Sequence, residues 1–225
     1  MLALLSWMHS PIDSSIEMVG LSVSLLFMLA TSILLVLDLD RPDRFLYVLL
    51  RPQWRSWLVR GAYIITGFSG LVTLKIIDNY YGFNWEGVYE VGLVFAVFAS
   101  IYTAFLFGQA KARDLWQSPW MSAAHMLLHS IMAGCVVMIG ITSDISGFLP
   151  EMLKVAIGIN IFLMIKEILF PDDTPDTKKA ISLMTRGYYS KYFWLGFIGG
   201  NIIPLCLLLI NGGSIALLSG ILALI

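Results

Sequence analysis

The sequence predicts an all-α, polytopic membrane protein built as a bundle of transmembrane helices. Of its 225 residues, 58% are hydrophobic and 13% are charged, whereas a soluble domain is usually about half apolar and about a quarter charged. The apolar residues form repeated runs near the ~20 residues that a helix needs to cross a bilayer. Because these runs are continuous rather than alternating with polar residues, they argue against a porin-like barrel.

Six apolar runs are long enough to span a membrane, and a seventh is not. The six are Ile16–Leu37, Trp57–Ile77, Gly87–Ala110, Met121–Ile141, Phe148–Phe170 and Tyr192–Ile210. The last run, Ser214–Ile225, predicts a partial seventh helix, and residues 1–12 are also too short to span. Asn201 and Pro204 predict a kink in the sixth span. We expect one integral membrane domain over residues 1–225.

The polar loops differ in charge between the two sides of the predicted membrane. All lysines and arginines except Lys75 and Lys154 belong to the side that carries residues 38–60, 111–120 and 171–191. The positive-inside rule would place this basic side in the cytoplasm. The start of the third segment is rich in proline and aspartate and predicts a flexible exposed loop. The net charge of −1 gives no reason to expect a nucleic-acid partner.

The basic side carries the densest polar stretch of the chain, residues 37–57. Its arginines and tryptophans predict an interfacial surface that docks a partner protein, and the loop at 111–120 adds to it. The predicted docking residues are Arg44, Arg51, Trp54, Arg55, Lys111, Arg113 and Trp116. At the end of the first span, Asp38 and Arg41 are able to form charge-assisted hydrogen bonds. The alternative is a helix that ends at charged residues, with its arginines simply solvated.

Three side chains inside the spans are candidates for chemistry at similar depth below the basic side. Tyr102 lies ~13 Å in from Lys111, and its phenol is able to donate a hydrogen bond to a quinone carbonyl. His125 and His129 are spaced i, i+4, so they share one helix face. An imidazole titrates near neutral pH and suits proton acceptance from a quinol. The alternatives are a packed tyrosine and neutral histidines bonded across helices.

The sequence argues against a haem or metal centre of its own. A b-type haem needs axial ligands from facing helices, and two histidines one turn apart on one helix do not clamp one iron. The third histidine, His9, belongs to the opposite side. Cys135 and Cys206 form no CxxC pair, so they encode neither a zinc site nor an iron–sulfur cluster, and we expect both to be small buried hydrophobes.

Three charged residues near the side of the membrane opposite the basic side are candidates for a proton path. Glu17, Lys75 and Glu90 lie in or beside the first three spans. Ionisable groups inside a membrane are costly and often functional. The alternative is that they are interfacial side chains that extend toward the headgroups.

Loop motifs around these candidates resemble those of the NrfD-type family. They are DLDRP at residues 38–42, GAY at 61–63, YT at 102–103 and RDLWQSP at 113–119. This family supplies the membrane subunits of polysulfide reductase, formate-dependent nitrite reductase and related molybdopterin complexes, and two subunits of alternative complex III. Its members usually have eight helices. The resemblance implies that this chain lacks the family's first helix and the end of its last.

The resemblance implies a quinone- or quinol-reactive subunit of a respiratory complex in the bacterial cytoplasmic membrane. Electrons would pass between menaquinone or ubiquinone and an iron–sulfur subunit, with molybdopterin-type or haem-bearing subunits and other membrane subunits beyond it. Tyr102 matches the tyrosine that contacts quinone in the polysulfide-reductase member. The alternatives are a structural anchor, or a proton-conducting subunit with no quinone site. A transporter is disfavoured, because neither a repeat nor broken midplane helices are evident.

Overall fold

The computed structural model describes eight segments of the chain, and they are helical. The described residues are 1–7, 13–37, 50–85, 87–109, 118–142, 147–170, 175–211 and 216–224. Their helices are α1 (Leu2–Trp7), α2 (Ser14–Leu37), α3 (Trp57–Tyr81), α4 (Val88–Gly108), α5 (Pro119–Thr142), α6 (Phe148–Leu169), α7 (Pro175–Thr185), α8 (Ser190–Phe197), α9 (Ile203–Asn211) and α10 (Ala216–Ala223). A π-helical turn, Ile198–Ile202, joins α8 to α9. These segments contain no strand, and the predicted all-α class is confirmed.

Six helices are long and apolar enough to cross a membrane. They are Ser14–Leu37, Trp57–Tyr81, Val88–Gly108, Pro119–Thr142, Phe148–Leu169 and the composite Ser190–Ile210. Each coincides with a predicted span to within a few residues. Ala216–Ala223 adds a helix of 8 residues, which is too short to cross a bilayer. The protein is therefore a multi-pass membrane protein.

The chain divides into two compact units, Met1–Gln109 and Ala110–Ile225. In the first unit, α3 packs against α2 and α4, and α1 packs against α4. In the second unit, α5 packs against α6, and α10 packs against α5 and α9. The expectation of one membrane domain over residues 1–225 stays a prediction.

Each unit has its own apolar core, and the outer helix faces are apolar as well. The first core includes Leu21, Val59, Ile65, Val72 and Tyr102, and the second includes Met132, Cys135, Leu153, Ile157 and Leu208. Cys135 is buried as expected, but the same expectation for Cys206 is wrong, because its side chain is exposed. Leucines such as Leu34, 66% exposed, and Leu195, 76% exposed, suit a lipid environment.

Hydroxyl groups inside the spans are satisfied by their own helix. In α2, the side chains of Ser22, Ser24, Thr31 and Ser32 each donate to the carbonyl four residues earlier at 2.8 Å. Such back-bonding removes the cost of an unpaired hydroxyl in hydrocarbon. These positions therefore need no partner helix.

The structure corrects the prediction for residues 171–180. From Pro175 onward this segment is the helix α7, not a flexible loop, and residues 171–174 lie outside the described residues. Proline suits the first helical position because the N–H that it lacks has no helical partner there. Thr177 is buried and Ile181 is half-buried, whereas Lys179 and Ser182 are exposed. The helix is therefore amphipathic. The sequence prediction missed its apolar face because the segment is rich in charged residues.

Where the sequence predicts a kink from Asn201 and Pro204, the structure has a π-helical turn, and the bend itself stays a prediction. Proline has no N–H, so it leaves the carbonyl of Gly200 without the usual helical donor. The turn lies immediately before Pro204, and it buries Gly200 and Asn201. Turns of this kind often occur at functional sites.

Candidate functional site

A cavity of about 490 Å³ lies in the second unit, among α5, α6, α7 and α8. Small-molecule sites commonly enclose about 300–1,000 Å³. Its polar wall includes Ser118, His125, His129, Lys166 and Glu167, and its apolar wall includes Met121, Met164, Ile181, Met184 and Phe193. The mixture of an apolar lining with a few ionisable groups is typical of a site for an amphipathic small molecule.

His125 is held at both ring nitrogens. Its Nδ1 lies 3.0 Å from Asn160 Oδ1, and its Nε2 lies 3.4 Å from Glu167 Oε2. The Nε2 atom is buried and makes no hydrogen bond within the described residues, so it faces the Glu167 carboxylate at close range without a formed hydrogen bond. Glu167 is 46% exposed and lines the cavity.

His129 lies one turn further along α5 and lines the same cavity. Its ring centroid is 6.4 Å from that of His125, with an interplanar angle of 66°. The two histidines share a helix face, as their spacing predicts, and both line one cavity, which their spacing did not predict. His129 is exposed in the second unit, whereas His125 is half-buried.

Two asparagines extend this polar group into the core of the second unit. Asn160 Nδ2 donates to Asn201 Oδ1 at 2.9 Å and lies 3.9 Å from Met164 Sδ. Asn160 is 2% exposed and Asn201 is 8% exposed. The sequence singled out Asn201 only as a sign of a kink, and the pairing of the two asparagines was not predicted.

Tyr102 lies in the core of the first unit, 5% exposed. Its ring covers Gly61 of α3 so closely that a Cβ added at Gly61 would lie 2.4 Å from Tyr102 Cδ2. The GAY segment therefore supplies the gap in α3 that the tyrosine ring fills. The contact accounts for the packing of the ring, and it leaves the predicted quinone contact untested.

The proposed proton-path residues are brought together only in part. Lys75 Nζ lies 3.8 Å from Glu17 Oε1 and 2.6 Å from Asp78 Oδ2, and Tyr89 Oη donates to Glu17. Asp78, which the sequence analysis missed, is 2% exposed. Glu90 is exposed, and no contact described here joins it to this cluster.

Three of the predicted docking residues are described, and all three are exposed. Arg51, Trp54 and Arg55 lie in the turn before α3. Gln109 accepts from Trp57 N and donates to Arg55 O, both at 3.1 Å. Arg44, Lys111, Arg113 and Trp116 lie outside the described residues, as do Asp38 and Arg41.

Two further contacts order the same turn. Arg60 Nε donates to Trp54 O at 2.6 Å, and the Arg60 guanidinium lies 4.7 Å from the centroid of the Trp57 ring. Trp57 in turn stacks on Phe105 of α4, with centroids 4.6 Å apart. The turn is therefore fixed to α3 and α4 while its charged side chains stay exposed.

The described residues contain no cluster of three or more His, Cys, Asp or Glu side chains that could hold a metal ion. Comparison with known proteins gives one finding. The family model described as polysulphide reductase, NrfD, matches residues 1–225, the whole chain. Neither a curated protein nor a solved structure matches it.

Proposed function

Because the chain belongs to the NrfD, or polysulphide reductase, family, we propose that it is the quinone-reactive subunit of a respiratory oxidoreductase complex. The family comprises membrane subunits of quinone-reactive complexes. In this proposal the chain binds menaquinone or ubiquinone as a substrate and exchanges its electrons with an iron–sulfur subunit. Molybdopterin-type or haem-bearing subunits and other membrane subunits complete the complex, in a bacterial cytoplasmic membrane.

The observation that carries the proposal is the cavity of the second unit. Its volume of about 490 Å³ and its apolar wall suit a ring with an isoprenoid tail. His125 and His129 supply groups able to exchange the proton that accompanies quinol oxidation. A membrane cavity with ionisable groups on one wall is the geometry that this chemistry needs.

Tyr102, Asp38 and Arg41 enter the proposal through the family motifs. Tyr102 matches the tyrosine of the YT motif, and its hydroxyl is a hydrogen-bond donor suited to a quinone carbonyl. Asp38 and Arg41 belong to the DLDRP motif. We propose that they complete the quinone site or hold the adjacent docking surface in place.

The docking surface is proposed to receive the iron–sulfur subunit. Arg51, Trp54 and Arg55 are exposed on an ordered turn, and arginine and tryptophan are the residues most enriched where partner proteins bind tightly. Arg44, Lys111, Arg113 and Trp116 are assigned to the same surface from the sequence.

The test is quinol-dependent electron transfer by the complete complex in membranes. We expect His125→Asn to lower turnover about 10²-fold, because general acid–base groups contribute about that much or more. Tyr102→Phe should lower quinol turnover while the complex still assembles. Glu151→Gln serves as the control, since Glu151 is 68% exposed and pairs with Lys154 across one helical turn. Normal turnover in both His125→Asn and Tyr102→Phe would contradict the proposal.

A second candidate function is proton conduction without a quinone site in this chain. The cluster of Glu17, Lys75, Asp78 and Tyr89 favours it, because charged groups inside a span are costly. Glu17→Gln distinguishes the two in the same assay. Lost proton uptake in Glu17→Gln, with normal quinol turnover in both His125→Asn and Tyr102→Phe, would support the second function and replace the first.

A further inference from the structure

The polar group of the second unit forms one continuous chain across three helical elements. It runs from Glu167 on the cavity wall to His125, then to Asn160 and to Asn201 in the π-helical turn. The successive separations are 3.4 Å, 3.0 Å and 2.9 Å. Its inner members are almost completely buried, so each polar atom needs its partner.

The contact with Asn201 gives the Asn160 amide its orientation in the structure. The nitrogen of Asn160 donates to Asn201 Oδ1, and its oxygen faces His125 Nδ1. An amide oxygen is an acceptor only. With Asn160 in this orientation, the proton of that contact is carried by His125 Nδ1.

The contact between His125 and Glu167 then holds one proton. In a neutral imidazole with a proton on Nδ1, the other nitrogen is an acceptor. Here Nε2 lies 3.4 Å from a carboxylate oxygen and has no hydrogen-bond donor within the described residues. Two acceptors facing each other inside a protein repel, so one proton between Nε2 and Oε2 removes the repulsion. This proton belongs to the pair.

We propose that His125 and Glu167 act as a one-proton carrier on the cavity wall, and that Asn160 and Asn201 are the positioning residues that set its direction. Resting on the proposed function, the cycle begins when the pair releases its proton to water at the exposed Glu167 carboxylate. The O–H bond of a quinol then breaks and its proton goes to a Glu167 oxygen, and that new O–H bond breaks in turn as an N–H bond forms at His125 Nε2, while Nδ1 keeps its proton throughout. The second quinol proton follows the same route in a second cycle, and the two electrons pass from the quinol to the iron–sulfur subunit.

The proposal assigns a role to the π-helical turn. Asn201 is buried there, whereas Ile198 before it is 46% exposed and Ile203 after it is 45% exposed. The turn thus directs the Asn201 amide into the core, while Ile198 and Ile203 on either side of it face outward. Asn201 is not among the residues that line the cavity, and in the proposal it acts through Asn160.

The direct test is the protonation pattern of His125 by nitrogen NMR. The full-length chain, labelled only at its histidines and placed in lipid nanodiscs, carries 3 histidines, so the His125 signals are identified by their loss in His125→Asn. We expect a protonated Nδ1. Asn201→Asp should keep this pattern because a carboxylate still accepts from Asn160, whereas Asn201→Leu should add a population with a bare Nδ1.

Two results would overturn the proposal. The first is a bare Nδ1 in the unaltered chain, which needs no variant to fold. The second is an Asn201→Leu spectrum identical to that of the unaltered chain. Neither readout requires quinol, so they test the positioning separately from the proposed function.

Turnover of the complete complex tests Glu167. We expect Glu167→Gln to lower quinol oxidation about 10²-fold and to leave Nδ1 protonated, with Glu151→Gln as the control on the same helix. Full activity in Glu167→Gln together with loss in His125→Asn would overturn the carrier and keep the quinone site. Full activity in both would overturn the carrier, and normal turnover in Tyr102→Phe as well would overturn the proposed function.

Discussion

At the scale of single residues, the contact between Gly61 of α3 and Tyr102 of α4 shows how a family motif serves packing. The tyrosine ring occupies the space that any side chain at Gly61 would need. The glycine of the GAY motif is therefore explained by its steric fit to the Tyr102 ring. This fit holds whatever chemistry the Tyr102 hydroxyl performs. The same helix contains Gly70, which has nothing within 4 Å of an added Cβ.

This pair of glycines gives a prediction for stability. Gly61→Ala should destabilise the protein by about 1–3 kcal/mol, because overpacking a core forces side chains out of place. Gly70→Ala should be neutral or stabilising by up to about 1 kcal/mol, because alanine favours a helix over glycine. Thermal unfolding in detergent measures both. Equal melting temperatures for the two variants would contradict the steric account, and recovery of Gly61→Ala by Tyr102→Ala would support it.

At the scale of elements, the end of α3 is organised by Asp78. Its Oδ1 accepts from Trp85 N at 2.9 Å while its Oδ2 pairs with Lys75. Gly82 ends the helix with a φ of 69° and donates to the Asp78 carbonyl at 2.8 Å, as left-handed glycines commonly do. One residue thus ends a helix, orders the loop after it and balances a cation.

Asp78→Ala should therefore loosen the loop and lower the melting temperature. The lysine loses its nearest counter-charge, and the Trp85 amide loses its acceptor. Hydrogen exchange of residues 79–85 should become faster. The matched change is Glu151→Ala, which removes a pair of the same 2.6 Å length and i, i+3 spacing. Because that glutamate is exposed, its loss should have little effect, and an equal effect of the two changes would count against the role of Asp78.

At the scale of the whole molecule, the six spans fix which loops share a side. An even number of crossings separates residue 53 from residue 188, and one crossing, α3, separates residue 53 from residue 84. All three side chains are exposed, so they are suited to labelling.

Labelling with a membrane-impermeant thiol reagent checks this arrangement. In a chain with Cys135 and Cys206 replaced, Gln53→Cys and Tyr188→Cys should react from one side, and Asn84→Cys from the other. The unsubstituted cysteine-free chain is the control for background. Reaction of Gln53→Cys and Asn84→Cys from the same side would mean that α3 does not cross the membrane.

The spans were predictable because a continuous apolar run has few structures open to it in a bilayer. The helix α7 was not, since its charged residues obscured the apolar face that Ile181 belongs to. The partners of Asp78 and Asn160 were also beyond reach. Both contacts depend on the rotation of neighbouring helices about their axes, and polar residues spaced singly along apolar runs carry no periodic signal of it.

The two hydrogen bonds of Gln109 have a mechanical consequence. One side chain at the end of α4 holds both Arg55 and Trp57, so the exposed turn and the end of that helix are tied together. Tyr102 lies seven residues back on the same helix, at ~10 Å. The exposed turn and the tyrosine ring are therefore linked through the Gln109 side chain and a single stretch of helix two turns long, so a displacement of the turn has a direct path to the ring.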